Sequence, residues 1–270
     1  EAGVEVIPGV PGLKVHCKIF QISRRIGGVT ERITHIGTGN FHEKTANVYS
    51  DTTLLTAHLE IGREVRKLFE FFESNYNRPQ FRHLLVSPFN TRRKLNDLIQ
   101  KEMNHAKKGK HASILIKLNN LIDDSIIKKL LDAAEAGVKI TCIIRGVCLL
   151  VPTTKKQAKN IEIRSIIGRY LEHSRVLVFH NNGEEIMLIG SADLMTRNLD
   201  YRVEVLTPIY DKKLKEEISE WLNMQLSEHA KARSLKKEDM NAYIYPLDAA
   251  NSFDTQIEWK KYLEAKSVKA

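Results

Sequence analysis

The chain has 270 residues, 42% of them hydrophobic and 28% charged, which is enough apolar material for a sizeable core and excludes an intrinsically disordered chain. Lys and Arg outnumber Asp and Glu 42 to 33, and the pI near 9.3 favours a polyanionic partner; because the surplus is spread along the chain, a solvated basic surface is the plainer alternative. Cys17, Cys142 and Cys148 sit in or beside apolar runs rather than at metal-ligand spacing, which excludes a zinc module and reads as reduced core thiols.

The length suits two lobes. There is no apolar run of about 18 residues to span a membrane and no secretory leader, so the expected compartment is the cytoplasm. The chain opens at Glu1 and enters a strand-like segment almost at once, so it reads as a fragment whose first lobe is truncated at its N-terminus.

Lys14 to Ile22 alternates, with Val15, Cys17 and Ile19 on one face and His16, Lys18 and Phe20 on the other, as a half-buried strand does. Gly27-Gly28 turns the chain, Arg32 to Ile36 returns as a strand, and Gly37-Thr38-Gly39-Asn40 ends it. An amphipathic helix is predicted from Leu55 to Phe72, and Asn75 to Gln80 is the predicted linker between a first lobe, 1–80, and a second, 81–270. There follow a short strand at Leu84 to Ser87, a helix from Thr91 to about Asn104, a strand at Ser113 to Lys117, a helix from Asp123 to Ala136 stopped by Gly137, and a strand at Val138 to Ile144. That order predicts an α/β fold with mixed, largely parallel sheets.

The second half repeats the plan of the first. Leu171 to Phe179 is read as one strand carrying His173 and Arg175, Asn181-Asn182-Gly183 turns, and Ile186 to Ile189 runs into Gly190-Ser191-Ala192-Asp193. The shared pattern is His-x-basic, hairpin, Gly-Thr/Ser-x-Asn/Asp, then Tyr49 or Arg202 nine residues on, then an amphipathic helix. A His-x-Lys or His-x-Arg pair on a strand sets an imidazole and a cation about 6 to 7 Å apart on one face. That spacing fits a phosphate: the cation neutralises non-bridging oxygens while the imidazole attacks phosphorus. The turn adds backbone donors and short polar side chains, among them Thr38 and Ser191, that could hold the imidazole or an oxyanion.

This architecture resembles the phospholipase D superfamily, in which two such histidines share one site, so two phospholipase D-like lobes are expected. Longer stretches resemble the polyphosphate kinase family: Val10 to Lys18 (VPGLKVHCK), Thr34 to Ala46 (THIGTGNFHEKTA), Asn120 to Arg145, Arg164 to Arg175 (RSIIGRYLEHSR) and Ser191 to Glu204 (SADLMTRNLDYRVE). The broader superfamily expects an aspartate five residues past the lysine, where Ser23 and His180 stand, and a lysine where Arg175 stands; these departures favour the kinase.

The resemblance implies reversible transfer of the ATP terminal phosphoryl group to polyphosphate, with His16 as the phosphorylated histidine and His173 as general acid or base. It implies that Tyr49 contacts nucleotide and Arg145 and His173 contact phosphate, while Lys18, Arg175 and Arg202 add charge on position alone. His35, Asn40 and Asp193 would support the site. The implied cofactor is Mg2+ with ATP or ADP, its binding residues lying upstream, so that the fragment alone is not expected to sustain full turnover. The implied partners are ATP or ADP, polyphosphate, upstream domains and further copies of the chain, with no nucleic acid; the inner face of the cell membrane is a second expected location. A phosphodiesterase or nuclease, and a non-catalytic polyanion-binding module, are the competing readings.

Overall fold

The computed structural model describes residues 3–235, 241–245 and 251–267. The first copy of the repeat runs β1 (Lys14–Val15), β2 (Lys18–Ile26), β3 (Val29–Gly37), α1 (Glu43–Ala46), β4 (Tyr49–Ser50), β5 (Thr53–Thr56) and α2 (Leu59–Glu73). After a stretch without helix or strand come β6 (Leu85–Ser87), α3 (Thr91–Lys107), β7 (Ser113–Leu118), α4 (Asp124–Ala136), β8 (Lys139–Ile144), α5 (Lys155–Asn160) and β9 (Ile161–Ser165). The second copy follows as β10 (Leu171–Glu172), β11 (Val176–Phe179), β12 (Ile186–Gly190), α6 (Thr196–Asp200), β13 (Arg202–Pro208) and α7 (Lys212–Leu226), and the chain continues with β14 (Arg233–Ser234) and α8 (Thr255–Ser267).

The main sheet has the order β1-β13-β12-β11-β7-β8-β9-β14, with β6 also against β13. The fold is mixed α/β as expected, but the balance differs from a largely parallel sheet. Among the described residues β1·β13, β7·β8 and β8·β9 are parallel, whereas β13·β12, β12·β11, β11·β7, β13·β6 and β9·β14 are antiparallel. The reason is local: β7, β8 and β9 follow one another through α4 and α5, the crossovers that parallel neighbours need, whereas β11 and β12 are joined by a short turn that forces antiparallel pairing. A separate antiparallel sheet, β2-β3-β5, and a two-strand parallel pair, β10-β4, complete the strands.

Three predicted elements change. The helix expected from Leu55 begins at Leu59, because Thr53 to Thr56 pairs with β3. Its β-branched threonines suit a strand, its period-2 burial places Leu54 inside and Leu55 outside, and His58 caps α2 by accepting from the Ile61 N–H at 3.4 Å. The strand expected over 171–179 is broken at 173–175: β10 pairs with β4, then β11 pairs with β7 and β12. The first copy breaks in the same way at residues 16–17, between β1 on β13 and β2 on β3. Each histidine stands where its chain leaves one ladder for another.

The copies share cores. Ile36, Ile61, Val65 and Leu68 of the first pack with Val203 and Val205 of the second, and Leu54 packs with Val176, Ile189 and Trp221. A third cluster fills the space between α3, α4 and the main sheet, with Leu95, Ile99, Ile126 and Leu130 against Ile114, Ile116 and Ile140. Truncating one of these fully buried leucines costs about 2–5 kcal/mol, so the relative placement of the two histidine loops is set by packing.

Candidate active site

At the first switch point the backbone N–H groups of His16 and Cys17 both donate to the Val203 carbonyl, at 3.0 and 2.9 Å. This lays His16 beside Glu204, the next residue of β13, with Nδ1 2.9 Å from each carboxylate oxygen. Glu204 is fully buried and also accepts from Ser191 Oγ at 2.5 Å and Asn198 Nδ2 at 2.6 Å. A buried carboxylate only accepts, so the proton of the imidazole resides on Nδ1 and the lone pair on Nε2. The His16 side chain is 25% exposed, which leaves that lone pair reachable. Cys17 is no rival nucleophile: burial, and then Glu204, push its thiol up to about 12.

The second centre is the same structure with the copies exchanged. The His173 N–H donates to the Ser50 carbonyl at 3.0 Å, and its Nδ1 meets Asp51 Oδ1 at 2.6 Å. Asp51 also accepts from Thr38 Oγ1 at 2.6 Å. Burial depresses the His173 pKa; the Asp51 hydrogen bond opposes this, and the charges of Arg175 and Lys18 deepen it. Burial by itself would raise Asp51, but hydrogen bonds from His173 and Thr38 outweigh it and hold the carboxyl below its usual range. The pair is therefore a neutral imidazole on a carboxylate at neutral pH. Gly39 makes room for it, since a Cβ there would lie 2.5 Å from Asp51 Oδ2.

The basic partners play matching parts. Lys18 Nζ donates to the His16 carbonyl at 2.6 Å, and Arg175 Nη1 to the His173 carbonyl at 2.7 Å. Burial brings Lys18 down to about 8, with Glu204 opposing and Arg175 assisting. The Lys18 charge is felt at His173 and the Arg175 charge at Lys18 and Asp51, and β12 packs on β3 and β5. The two basic residues are thus near enough for each to act on the other copy's centre.

Asp51, Glu204 and Asn198 are the residues that sequence reasoning missed, while Thr38 and Ser191, expected to hold an imidazole or an oxyanion, hold the two carboxylates instead. Their signal was present: the carboxylates each stand 13 residues after the hydroxyl that holds them, two past the paired Tyr49 and Arg202. The exchange of carboxylates between copies is what a linear pattern does not display.

Of the other expected residues, Tyr49 lies edge-on to His173, ring centroids 4.9 Å apart, and joins Arg145, Arg169 and Tyr170 in lining a cleft of about 380 Å³. Arg145 follows β8, with Nε donating to Asn119 Oδ1 at 3.2 Å. Asp193 accepts from the Asn119 N–H at 2.9 Å and from Arg175 Nε at 3.3 Å, so it links the Arg145 loop to the second centre. Asn40 differs from it, supplying a backbone carbonyl to His42 N–H at 2.8 Å. Arg202 lies 4.0 Å from Glu204. His35 stacks on Phe20 at 4.7 Å and meets Phe41 at 5.1 Å, so its ring belongs to the aromatic packing of the hairpin.

Among the described residues no cluster of three or more His, Cys, Asp or Glu side chains could hold a metal ion, and the two site carboxylates are already engaged by imidazole and hydroxyl groups. These residues do not fit a resident Mg2+. Among the described residues no helix is long and apolar enough to cross a membrane.

Comparison with known proteins places this geometry. Residues 1–78 match polyphosphate kinase C-terminal domain 1 and residues 84–256 match polyphosphate kinase C-terminal domain 2. The chain belongs to the polyphosphate kinase family. Curated polyphosphate kinases from Vibrio parahaemolyticus and Escherichia coli K12 are 50% and 45% identical over 244 residues, 90% of this chain. The crystal structure of the Porphyromonas gingivalis polyphosphate kinase superposes on 96% of this chain with a TM-score of 0.88 at 38% identity, using 40% of its own length. The chain spans 35% and 36% of the two curated relatives, so it corresponds to about a third of a family member.

Proposed function

We propose that this chain is the C-terminal catalytic part of a longer polyphosphate kinase, in which His16 carries a phosphoryl group between ATP and polyphosphate. The observation that carries the reading is the exchanged pair of histidine–carboxylate contacts, with Lys18 on the His16 carbonyl and Arg175 on the His173 carbonyl, in a chain of this family. Nε2 of His16 attacks the terminal phosphorus of ATP in line. The N–P bond forms as the P–O bond to ADP breaks, and the Nδ1 proton stays on the Glu204 hydrogen bond, which stabilises the developing imidazolium. Lys18 and Arg175 face the charge spread over the equatorial oxygens of a loose transition state. A terminal oxygen of polyphosphate then attacks the phosphohistidine, and the N–P bond breaks.

His173 has its Nδ1 proton on Asp51, so its Nε2 lone pair can accept the proton of an acceptor phosphate in that second step, and return it when the reaction runs toward ATP. The cleft of Tyr49 and Arg145 adjoins this centre and is the proposed seat of the nucleotide phosphates. Magnesium bound with the nucleotide would neutralise phosphate charge; its ligands are expected from upstream parts of the protein, and none of these steps depends on it.

The test compares the full-length protein with its His16→Ala variant. The reading expects loss of both polyphosphate synthesis from ATP and ATP formation from polyphosphate, by at least about 10⁴-fold, as for removal of a covalent nucleophile. Unchanged rates in His16→Ala would overturn it, and faster cleavage of a phosphodiester than formation of polyphosphate would replace it with the phosphodiesterase reading.

A further inference from the structure

Among the described residues, the strand that presents His173 is held by a device with no counterpart on the His16 side. In the repeat, the residue before His16 is Val15, which is exposed, whereas the residue before His173 is Glu172, 3% exposed. Glu172 collects donors from three separate elements. Lys117 Nζ of β7 lies 2.6 Å from Oε2, Gln225 Nε2 of α7 lies 3.4 Å from the same oxygen, and Gln256 Nε2 of α8 lies 2.8 Å from Oε1. Lys117 is itself buried over the Trp221 ring, 5.1 Å from its centroid.

Gln256 does more than reach Glu172. Its Oε1 accepts the Tyr170 N–H at 2.9 Å and its Nε2 donates to the Tyr170 carbonyl at 2.8 Å. One side-chain amide therefore binds the backbone just before β10 as a neighbouring strand would, while β4 pairs with β10 through residues 171 and 172. Gly168 lets this amide approach closely, since a Cβ there would lie 2.5 Å from Gln256 Cδ and displace the amide. The rest of α8 is fastened to α7, with Trp259 against Trp221 at 6.4 Å and Tyr262 and Lys266 bonded to Glu220 and Glu217. An open cleft of about 650 Å³ beside α8 is lined by Tyr49, Asp51, Glu172, Gln256 and Trp259 among others. The match to the family's second C-terminal domain stops at residue 256, so nearly all of α8 lies beyond it.

A ladder of two residues is marginal by itself. The short contact between His173 and Asp51 depends on where that ladder sits, because Asp51 follows β4 and His173 follows β10. We propose that Gln256 is a positioning residue for His173, through which α8 holds the His173–Asp51 pair in register with the His16 centre. The inference rests on the reading that His173 acts in the acceptor half of phosphoryl transfer. It predicts an asymmetry: the histidine that receives the phosphoryl is indifferent to α8, and the histidine that serves the acceptor is not.

The test uses the full-length protein and Gln256→Met, which keeps the side-chain length and removes the amide, with His173→Ala alongside. A misplacement of the order of 1 Å costs about 10²-fold, so Gln256→Met is expected to lower the kcat of polyphosphate synthesis about 10- to 100-fold. Labelling of His16 at saturating ATP and the Tm should stay close to those of the parent. A parent-like kcat in Gln256→Met, with His173→Ala impaired, would refute the positioning role. Equal losses of His16 labelling, kcat and Tm would also refute it, by making the amide a general structural contact. A parent-like kcat in His173→Ala would instead remove the functional reading on which the inference stands.

Discussion

Glu204→Gln isolates what the buried carboxylate contributes at the first centre. Glutamine fills the same volume but offers one acceptor oxygen and one NH₂ in place of two acceptors. At present both oxygens face His16 Nδ1 at 2.9 Å, and Ser191 and Asn198 donate to them as well. Three donors then compete for one oxygen. With the amide NH₂ toward His16, Nδ1 must accept, its proton moves to Nε2, and the nucleophilic lone pair is lost. In a Ser-His-Asp triad the corresponding change costs about 10⁴-fold in kcat. With the oxygen toward His16, the tautomer survives but the charge that stabilises the phosphoimidazolium is gone. We expect a loss of about 10²- to 10⁴-fold in the rate of His16 labelling, or about 2.7–5.5 kcal/mol of activation free energy. Rapid quenching of the full-length variant after mixing with γ-labelled ATP measures that rate directly, at saturating nucleotide so that binding does not contribute. Labelling at the parent rate would show that the Glu204 contact neither selects the tautomer nor stabilises the charge, and the account of the first centre would be wrong.

Lys18 sets an alkaline limit. Its folded pKa is about 8, lowered chiefly by burial, so the cation predominates below that pH and is lost above it, and the rate of His16 labelling should fall through about pH 8. Lys18→Arg, the residue that the second copy has at the equivalent position, should carry the plateau beyond pH 9; an unchanged limb in that variant would assign it to another group. At the buried ion pair, Lys117→Met strands Glu172, and thermal unfolding of the full-length protein should show about 3–5 kcal/mol of destabilisation. Lys117→Met with Glu172→Gln together should recover part of that loss, and equal losses in the single and double variants would contradict an ionic anchor.

The repeat was legible because it is written in sequence order: His-x-basic, hairpin, turn and helix recur with nearly constant spacing, and His16, His173, Lys18 and Arg175 all take matching places in the two centres. Less legible was anything fixed by the meeting of the copies. Asp51 and Glu204 look like ordinary charges in a line of text, and they become site residues only because each histidine crosses to the other copy's strand. The stretch Leu55 to Thr56 read as helix because Leu55 stands four residues before Leu59 at helical spacing, while the edge of β3 that claims it lies 20 residues earlier in the chain (Leu55 pairs with His35). The break at residues 173–175 was hidden for the same reason, since what changes there is the pairing partner, from β4 to β7 and β12. Gln256 lies outside every repeated pattern, and its role depends on a long excursion that returns the chain to β10.

The most direct test is to locate the transferred phosphoryl. Full-length protein is incubated with γ-labelled ATP, quenched in alkali, digested, and its labelled peptide sequenced, before and after a chase with unlabelled polyphosphate. The account predicts an alkali-stable, acid-labile phosphoryl on His16 that is absent from His16→Ala, leaves during the chase in the parent, and lingers in His173→Ala. Label on a different residue, or equal labelling of the His16→Ala protein, would contradict it.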